Sequence, residues 1–335
     1  MTESRVHPGD RIDALIVTAL PQEFDAARAA GLAGGVADWE EREKGSPQSY
    51  LVGRYLSGGT SFSIALWDST RMGGISLGPP VGALVGRLQP HCLAMCGVCA
   101  GNPGDTALGD VIVAEMAYQS DEGKREAASF TADHRQIPMR DEAIRLARSL
   151  TPEGLPSFGQ PSQEEARLWV LERLYAGDPP RNHPARDRYF PGRTWETAIR
   201  SLESGKLVRR KGMTLELTAE GRKHIEGRLF YDISPPEKLP FQIKVGPIAS
   251  GNVVVKDGVT WESLKKWGVR TVMGLEMEAA TIAGTAHHLN VPQWVVIKGV
   301  MDHADPRKDD RYKPFAARAS AEVLFRYLAG WFGGL

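Results

Sequence analysis

The sequence predicts an α/β protein with a mixed, mostly parallel central sheet flanked by helices and interrupted by a small inserted α+β module. Three observations lead there. Short apolar runs of strand type alternate with helix-length segments up to about residue 150. The alternation stops at residue 151 and resumes near residue 240. The interruption is bounded by Pro/Gly-rich joints, "TPEGLPSFGQPSQ" and "AGDPPRNHPARDRYFPG". Strand and helix in alternation form sheets covered on both faces. The chain therefore divides into residues 1–150, an insertion at 151–236, and residues 237–335, the outer two forming one domain.

The elements follow in order. "IDALIVTAL" is a strand, and "PQEFDAARAAG" opens with Pro and closes with Gly, as helices do. "SYLVGRYL" and "SFSIALWD" around "SGGT" read as a hairpin. "HCLAMCGV" and "DVIVAEMAY" are strands joined by the Gly-rich loop "AGNPGDTALG", and "MRDEAIRLARSL" is a helix. After the interruption come the strand region "FQIKVGPIASGNVVV", a helix "TWESLKKWG" and a strand "VRTVMGL". The chain closes with a helix "EMEAATIAGTAHHL", a strand "QWVVIKGV" and a helix "KPFAARASAEVLFRYLAG". Within the insertion, "TWETAIRSLESGKLVRRKGMTLELTAEGRKHIEGRL" runs helix, strand, turn, strand, helix, the order of a winged-helix unit. Its joints suit a module that packs lightly.

Composition excludes some functions. The 335 residues can bury a large core, and 41 Lys+Arg against 41 Asp+Glu leave no net charge, so the chain as a whole is not a polyanion binder. From Arg193 to Arg228, nine Arg/Lys and five Glu give +4, little for specific DNA binding. The start "MTESRVHPGD" lacks a basic segment followed by an apolar one, and no apolar run is long enough to span a membrane. A cytoplasmic protein without membrane contact is expected. Cys92, Cys96 and Cys99 share one apolar strand, where positions three apart face opposite sides, so neither a disulfide nor a metal site is expected.

In open α/β sheets ligands bind at the carboxyl ends of strands. Glu23, Glu278 and Asp302 all fall there. Three such carboxyls could cleave a ribosyl C–N bond, which needs an acid for the leaving base, a holder for the ribose hydroxyls and a base for water, with no metal or cofactor. Glu276, in the same "GLEMEA" stretch, is read as complementing a helix dipole. His287 and His288 are adjacent on a helix and cannot both face one site; His303 reads as a bystander.

"VTALPQEF", "GVCAGNPGDTALGDVIVAE", "GPIASGNVV", "GLEMEAATIA" and "VVIKGVMDHAD" stand in the order of the nucleoside phosphorylase/nucleosidase superfamily. The chain most resembles its methylthioadenosine/S-adenosylhomocysteine nucleosidase branch, over residues 11–120 and 240–330. The resemblance implies that Glu23 activates water, that Met277 and Glu278 line the ribose, and that Asp302 protonates the purine at N7. It also implies that Val98, Cys99, Val254 and Val255 contact substrate. Phosphorylases of the superfamily carry a phosphate-binding arginine in the first loop and an Arg-x-Gly-Ser segment; here those places read Glu23 and Met95, Cys96, Gly97, Val98, which favours water. Three departures bear on the base: Val254 replaces a stacking phenylalanine, Met301 a serine and Asn252 an aspartate.

The expected activity is therefore hydrolysis of a purine, adenine-type nucleoside or nucleotide. A phosphate-dependent phosphorylase and a nucleoside-sensing DNA-binding regulator are the alternatives. Expected partners are the small-molecule substrate, a second copy in a homo-oligomer and a protein docking on the insertion, ahead of nucleic acid. First loops of the "TALPQEF" kind also resemble those of phosphorylase-fold domains in prokaryotic and fungal immune-signalling proteins.

Overall fold

The computed structural model describes residues 12–334 apart from 128, 232–233, 258–259, 268 and 307–309. The opening decapeptide read above lies outside the described residues. In the first part of the chain come β1 (Ala14–Thr18), α1 (Pro21–Gly34), β2 (Glu40–Arg42), β3 (Tyr50–Ser57), β4 (Thr60–Asp68), α2 (Gly74–Leu88), β5 (Cys92–Gly101), β6 (Val111–Gln119), β7 (Gly123–Arg125), β8 (Phe130–Ala132), β9 (Ile137–Pro138) and α3 (Asp141–Ser149). The interrupting segment holds α4 (Gln163–Tyr175), α5 (Arg186–Tyr189), α6 (Thr194–Ser204), β10 (Val208–Lys211), β11 (Thr214–Leu217) and α7 (Ala219–Tyr231). The remainder supplies β12 (Ile243–Ser250), α8 (Thr260–Lys266), β13 (Gly274–Glu276), α9 (Ala279–His288), β14 (Gln293–Asp302) and α10 (Lys313–Gly333).

The main sheet runs β13-β12-β6-β14-β5-β1-β4-β3-β2. β1 pairs in parallel with β4 and β5, β14 with β5, and β12 with β6 and β13, while β14–β6 and the β2–β3–β4 meander are antiparallel. β13 also meets β5 in antiparallel fashion, so β13, β12, β6, β14 and β5 close into a ring. β1 and β14 are buried along their whole length, which is why they read as unbroken apolar runs. The β3–β4 hairpin turns on Gly58 and Gly59, both at positive φ.

Three departures from the sequence reading matter. α2 was not expected, because its Gly-rich sequence with Pro79 and Pro80 hides the helical period. "VRTVMGL" forms a strand only from Gly274 onward. Upstream, Val269 and Val272 pack beside Trp261 and Leu264, and single bonds from the Asn102 side chain to Val272 O and from the Asn102 amide to Met273 O replace a ladder. Finally, the following helix starts at Ala279 rather than Glu276, which leaves Glu276 inside β13.

The insertion has its own apolar cluster, centred on Trp169, Val170, Phe190, Ile199, Leu202 and Ile225. The order α6–β10–β11–α7 follows the sequence reading, and the chain enters and leaves side by side where Phe158 bridges Leu239. The anchoring is tighter than Pro/Gly joints suggest. Arg188 places both terminal guanidinium nitrogens on the fully buried Asp110, and also donates to Pro240 O at 3.0 Å. Among the described residues no helix is long and apolar enough to cross a membrane.

α10 lies across β14 and β5 at the closest possible range. A Cβ on Gly299 would sit 2.2 Å from the Ala316 carbonyl oxygen. Gly299→Ala should therefore push α10 off the sheet and cost about 1–3 kcal/mol, as overpacking does. A denaturant midpoint equal to that of the parent would contradict this.

Candidate active site

A cavity of about 330 Å3 opens at the carboxyl ends of β1, β5, β13 and β14. Glu23, Val98, Cys99, Val254, Val255, Met277, Glu278 and Asp302, the eight residues singled out in the sequence, all line it. They arrive from separate places: Glu23 from the first turn of α1, Val98 and Cys99 from β5, Val254 and Val255 from the stretch after β12. Met277 and Glu278 come from the β13–α9 junction, and Asp302 from the end of β14.

Glu23 is buried and rigidly held. Its Oε2 accepts the amides of Ala19 at 3.0 Å and Leu20 at 3.1 Å, and its Oε1 accepts that of Val98 at 2.9 Å. The approach to β5 needs a glycine, because a Cβ at Gly97 would lie 2.4 Å from Oε1. Three amide donors fix the carboxylate without any cation.

Glu278 belongs to a buried triad. Lys298, 1% exposed on β14, sits 3.0 Å from Glu276 Oε2 and 3.5 Å from Glu278 Oε2. Glu276 also accepts from Ser250 Oγ at 2.7 Å and from the amides of Glu278 and Ala279. Burial alone would raise its pKa, but Lys298, Ser250 and the Ala279 amide outweigh burial and hold it below the ordinary carboxylate range. The dipole role read for Glu276 is thus half of the picture: it does cap the start of α9, and it is also the main counter-ion of a buried lysine. Glu278 is the weaker partner. Burial, with Glu276 adding repulsion, pushes its pKa up to about 7 against the pull of Lys298 and of the Gly73 amide, which it accepts at 2.8 Å. The two carboxylates, with Glu23, hold the Lys298 ammonium above its usual range despite its burial.

At the far wall the β14–β5 register slips by one between Val300 and Asp302, a β-bulge that resets which face the last residue presents. Asp302 is buried there, and its Oδ1 accepts the Ala304 amide at 2.8 Å. Val254 is 57% exposed at the cavity mouth. Asn252 does not line the cavity; its amide donates to Asp121 at 2.7 Å. His287 and His288 do not line it either. The buried thiols of Cys92, Cys96 and Cys99 are free, and burial raises all three pKa values. Among the described residues no group of three potential metal ligands lies together.

Sequence reasoning missed Lys298 and Gly73. A lone lysine inside "QWVVIKGVM" was a usable signal, since a cation in a doubly covered strand requires an acidic partner. Gly73 gave none, because its amide meets Glu278 across 205 positions of chain.

The sequence profile of the phosphorylase superfamily matches residues 13–329. Among curated proteins the chain is similar to the uncharacterized protein y4jS of Sinorhizobium fredii, 24% identical over 294 residues that make up 85% of this chain and 54% of that protein. It is also similar to a 5′-methylthioadenosine/S-adenosylhomocysteine nucleosidase of Glaesserella parasuis, 32% identical over 99 residues, 29% of this chain and 42% of that protein. The chain spans about half the length of the curated relatives it matches. Solved structures of the same kind of nucleosidase from Helicobacter pylori and Streptococcus pneumoniae superpose with TM-scores of 0.56 each at 15% and 17% identity. The alignments cover 95% of this chain and 98% and 99% of theirs. At such identities the likeness is one of fold.

Lys298→Met would strand two buried carboxylates. The expected loss is about 3–5 kcal/mol near neutral pH, as for other broken buried pairs. The unpaired carboxyls would have raised folded-state pKa values, so the deficit should shrink below about pH 5, where they can protonate, and grow as pH rises. Denaturation of parent and variant across that range measures both, and a pH-independent difference would count against the triad as described.

Proposed function

The chain belongs to the phosphorylase superfamily, and on that premise we propose that it hydrolyses the N-glycosidic bond of a purine, adenine-type nucleoside or nucleotide. One observation carries the reading: three carboxyl side chains from three elements distant in sequence line a single cavity, and one of them, Glu23, is fixed by three backbone amides. In the proposed reaction Glu23 takes a proton from water as the oxygen adds to the anomeric carbon. Asp302 delivers a proton to N7 of the base as the glycosidic bond breaks, and the bonding pair leaves with the base. Glu278 accepts from the ribose hydroxyls, while Lys298 and the Gly73 amide hold it in place.

Water is favoured over phosphate by the surroundings of Glu23. Ala19, Leu20 and Val98, whose amides bind it, bring no cationic side chain, and a carboxylate repels a phosphate dianion. The inserted segment, read as a winged-helix-like module, is proposed to serve the site or a protein partner. Its three hairpin cations are partly offset, Arg209 and Lys211 by the single Glu216 and Arg210 by Glu203, which leaves a small net charge for a DNA duplex.

Base release should proceed equally fast in phosphate-free and phosphate-containing buffer, with free sugar as co-product. A strict phosphate requirement with a sugar phosphate as product would sink the hydrolase reading. Asp302→Asn should lower kcat by roughly two to four decades with little change in substrate binding.

The ionised form of Glu278 is the hydroxyl acceptor, and its pKa lies near 7. KM for a riboside should therefore rise as pH is lowered through that value. Glu278→Gln should abolish the dependence and harm ribosides more than 2′-deoxyribosides. Equal losses on both sugars would assign the carboxylate to another task.

A further inference from the structure

Met301 and Asp302 also line a second cavity, of about 300 Å3, so that the segment carrying the proposed acid is a wall common to both spaces. The opposite side is built by the insertion, with Tyr175 and Ala176 at the end of α4 and Leu229 on α7. Leu108 from the β5–β6 loop and Tyr312 before α10 complete an apolar and aromatic lining. Its guanidinium groups face carboxylates: Arg173 lies 3.5 Å from Asp178 and Arg311 3.3 Å from Glu172. Such a wall does not call for an anionic ligand.

Among the buried polar atoms of this lining that make no hydrogen bond is one on a histidine. His303 Nδ1 lies 2.7 Å from the Gly101 carbonyl oxygen, which can only accept, so Nδ1 carries the proton and Nε2 presents a lone pair. That Nε2 is buried and makes no hydrogen bond to the protein, while burial lowers the pKa of the ring. A buried acceptor beside a cavity points to a donor on whatever fills it.

The purine itself supplies the direction. N7 and the C6 substituent share one edge of the ring system, so a carboxyl that protonates N7 also faces whatever the C6 nitrogen bears. We propose that the second cavity is a subsite for a substituent on the leaving base. The preferred substrates are adenine ribosides whose C6 amino nitrogen carries an apolar or aromatic group ending in a hydrogen-bond donor for His303 Nε2. This rests on the hydrolase reading and deepens it, making the insertion part of the specificity pocket.

The test compares kcat/KM for adenosine, N6-benzyladenosine and N6-(4-hydroxybenzyl)adenosine, with calorimetric binding of the corresponding free bases. The substituted ribosides should be preferred over adenosine by about tenfold or more, the range that filling an apolar pocket provides. Ala176→Trp, which fills the cavity from the insertion, should bring the ratio of benzyl to unsubstituted substrate towards one. His303→Phe should erase the advantage of the hydroxyl, about tenfold for one hydrogen bond. Turnover of adenosine with rejection of both substituted ribosides overturns the subsite and keeps the hydrolase. Tight binding of substituted bases without turnover of any riboside keeps the subsite and overturns the hydrolase. Neither binding nor turnover overturns both.

Discussion

A single ammonium group, Lys298 in the middle of a fully buried strand, organises the candidate site. A buried cation is costly unless it is paired with good geometry, and here the pairing joins β14 to the β13–α9 junction. Because Glu276 takes the closer position and most of the other donors, Glu278 keeps only one amide and a longer contact to the lysine. Both carboxylates line the cavity, but that asymmetry separates them: Glu276 is held below the ordinary carboxylate range as the main counter-ion of Lys298, and Glu278 has a pKa near neutrality.

Glu23 depends on a different constraint. Its carboxylate is satisfied by backbone alone, and only the absence of a side chain at Gly97 allows the first turn of α1 to reach β5 so closely. The ring formed by β13, β12, β6, β14 and β5 then fixes the distance across the cavity, and the bulge near Met301 sets the direction of Asp302. Each of the three carboxyls is therefore held by a separate device.

The segment between α3 and β12 is tied by two ion pairs to the elements around the site. The Arg188–Asp110 pair ties it to the loop leading into β6, and the Arg311–Glu172 pair ties it to the stretch that follows Asp302. Its own apolar cluster explains why it can be accommodated as a segment, and these two ties explain how it comes to face the cavity beside Asp302. The three hairpin cations Arg209, Arg210 and Lys211 lie against two glutamates, Glu203 and Glu216.

The sequence by itself determined the alternating architecture and eight of the residues that line the cavity. Those signals are local: apolar period, turn residues, and short motifs whose order resembles a known family. It misplaced "VRTVMGL" and the start of α9, because β-branched and apolar residues that pack as irregular chain look the same as a strand until their neighbours are known. α2 escaped because two prolines and several glycines mask its helical period. Tertiary structure alone decided that Lys298 meets Glu276 and Glu278, that the Gly73 amide reaches Glu278, and that His303 opens onto a second cavity beside Asp302. Each of these is a contact between segments far apart in the chain. Its energy depends on burial and distance, quantities that no run of neighbouring residues encodes.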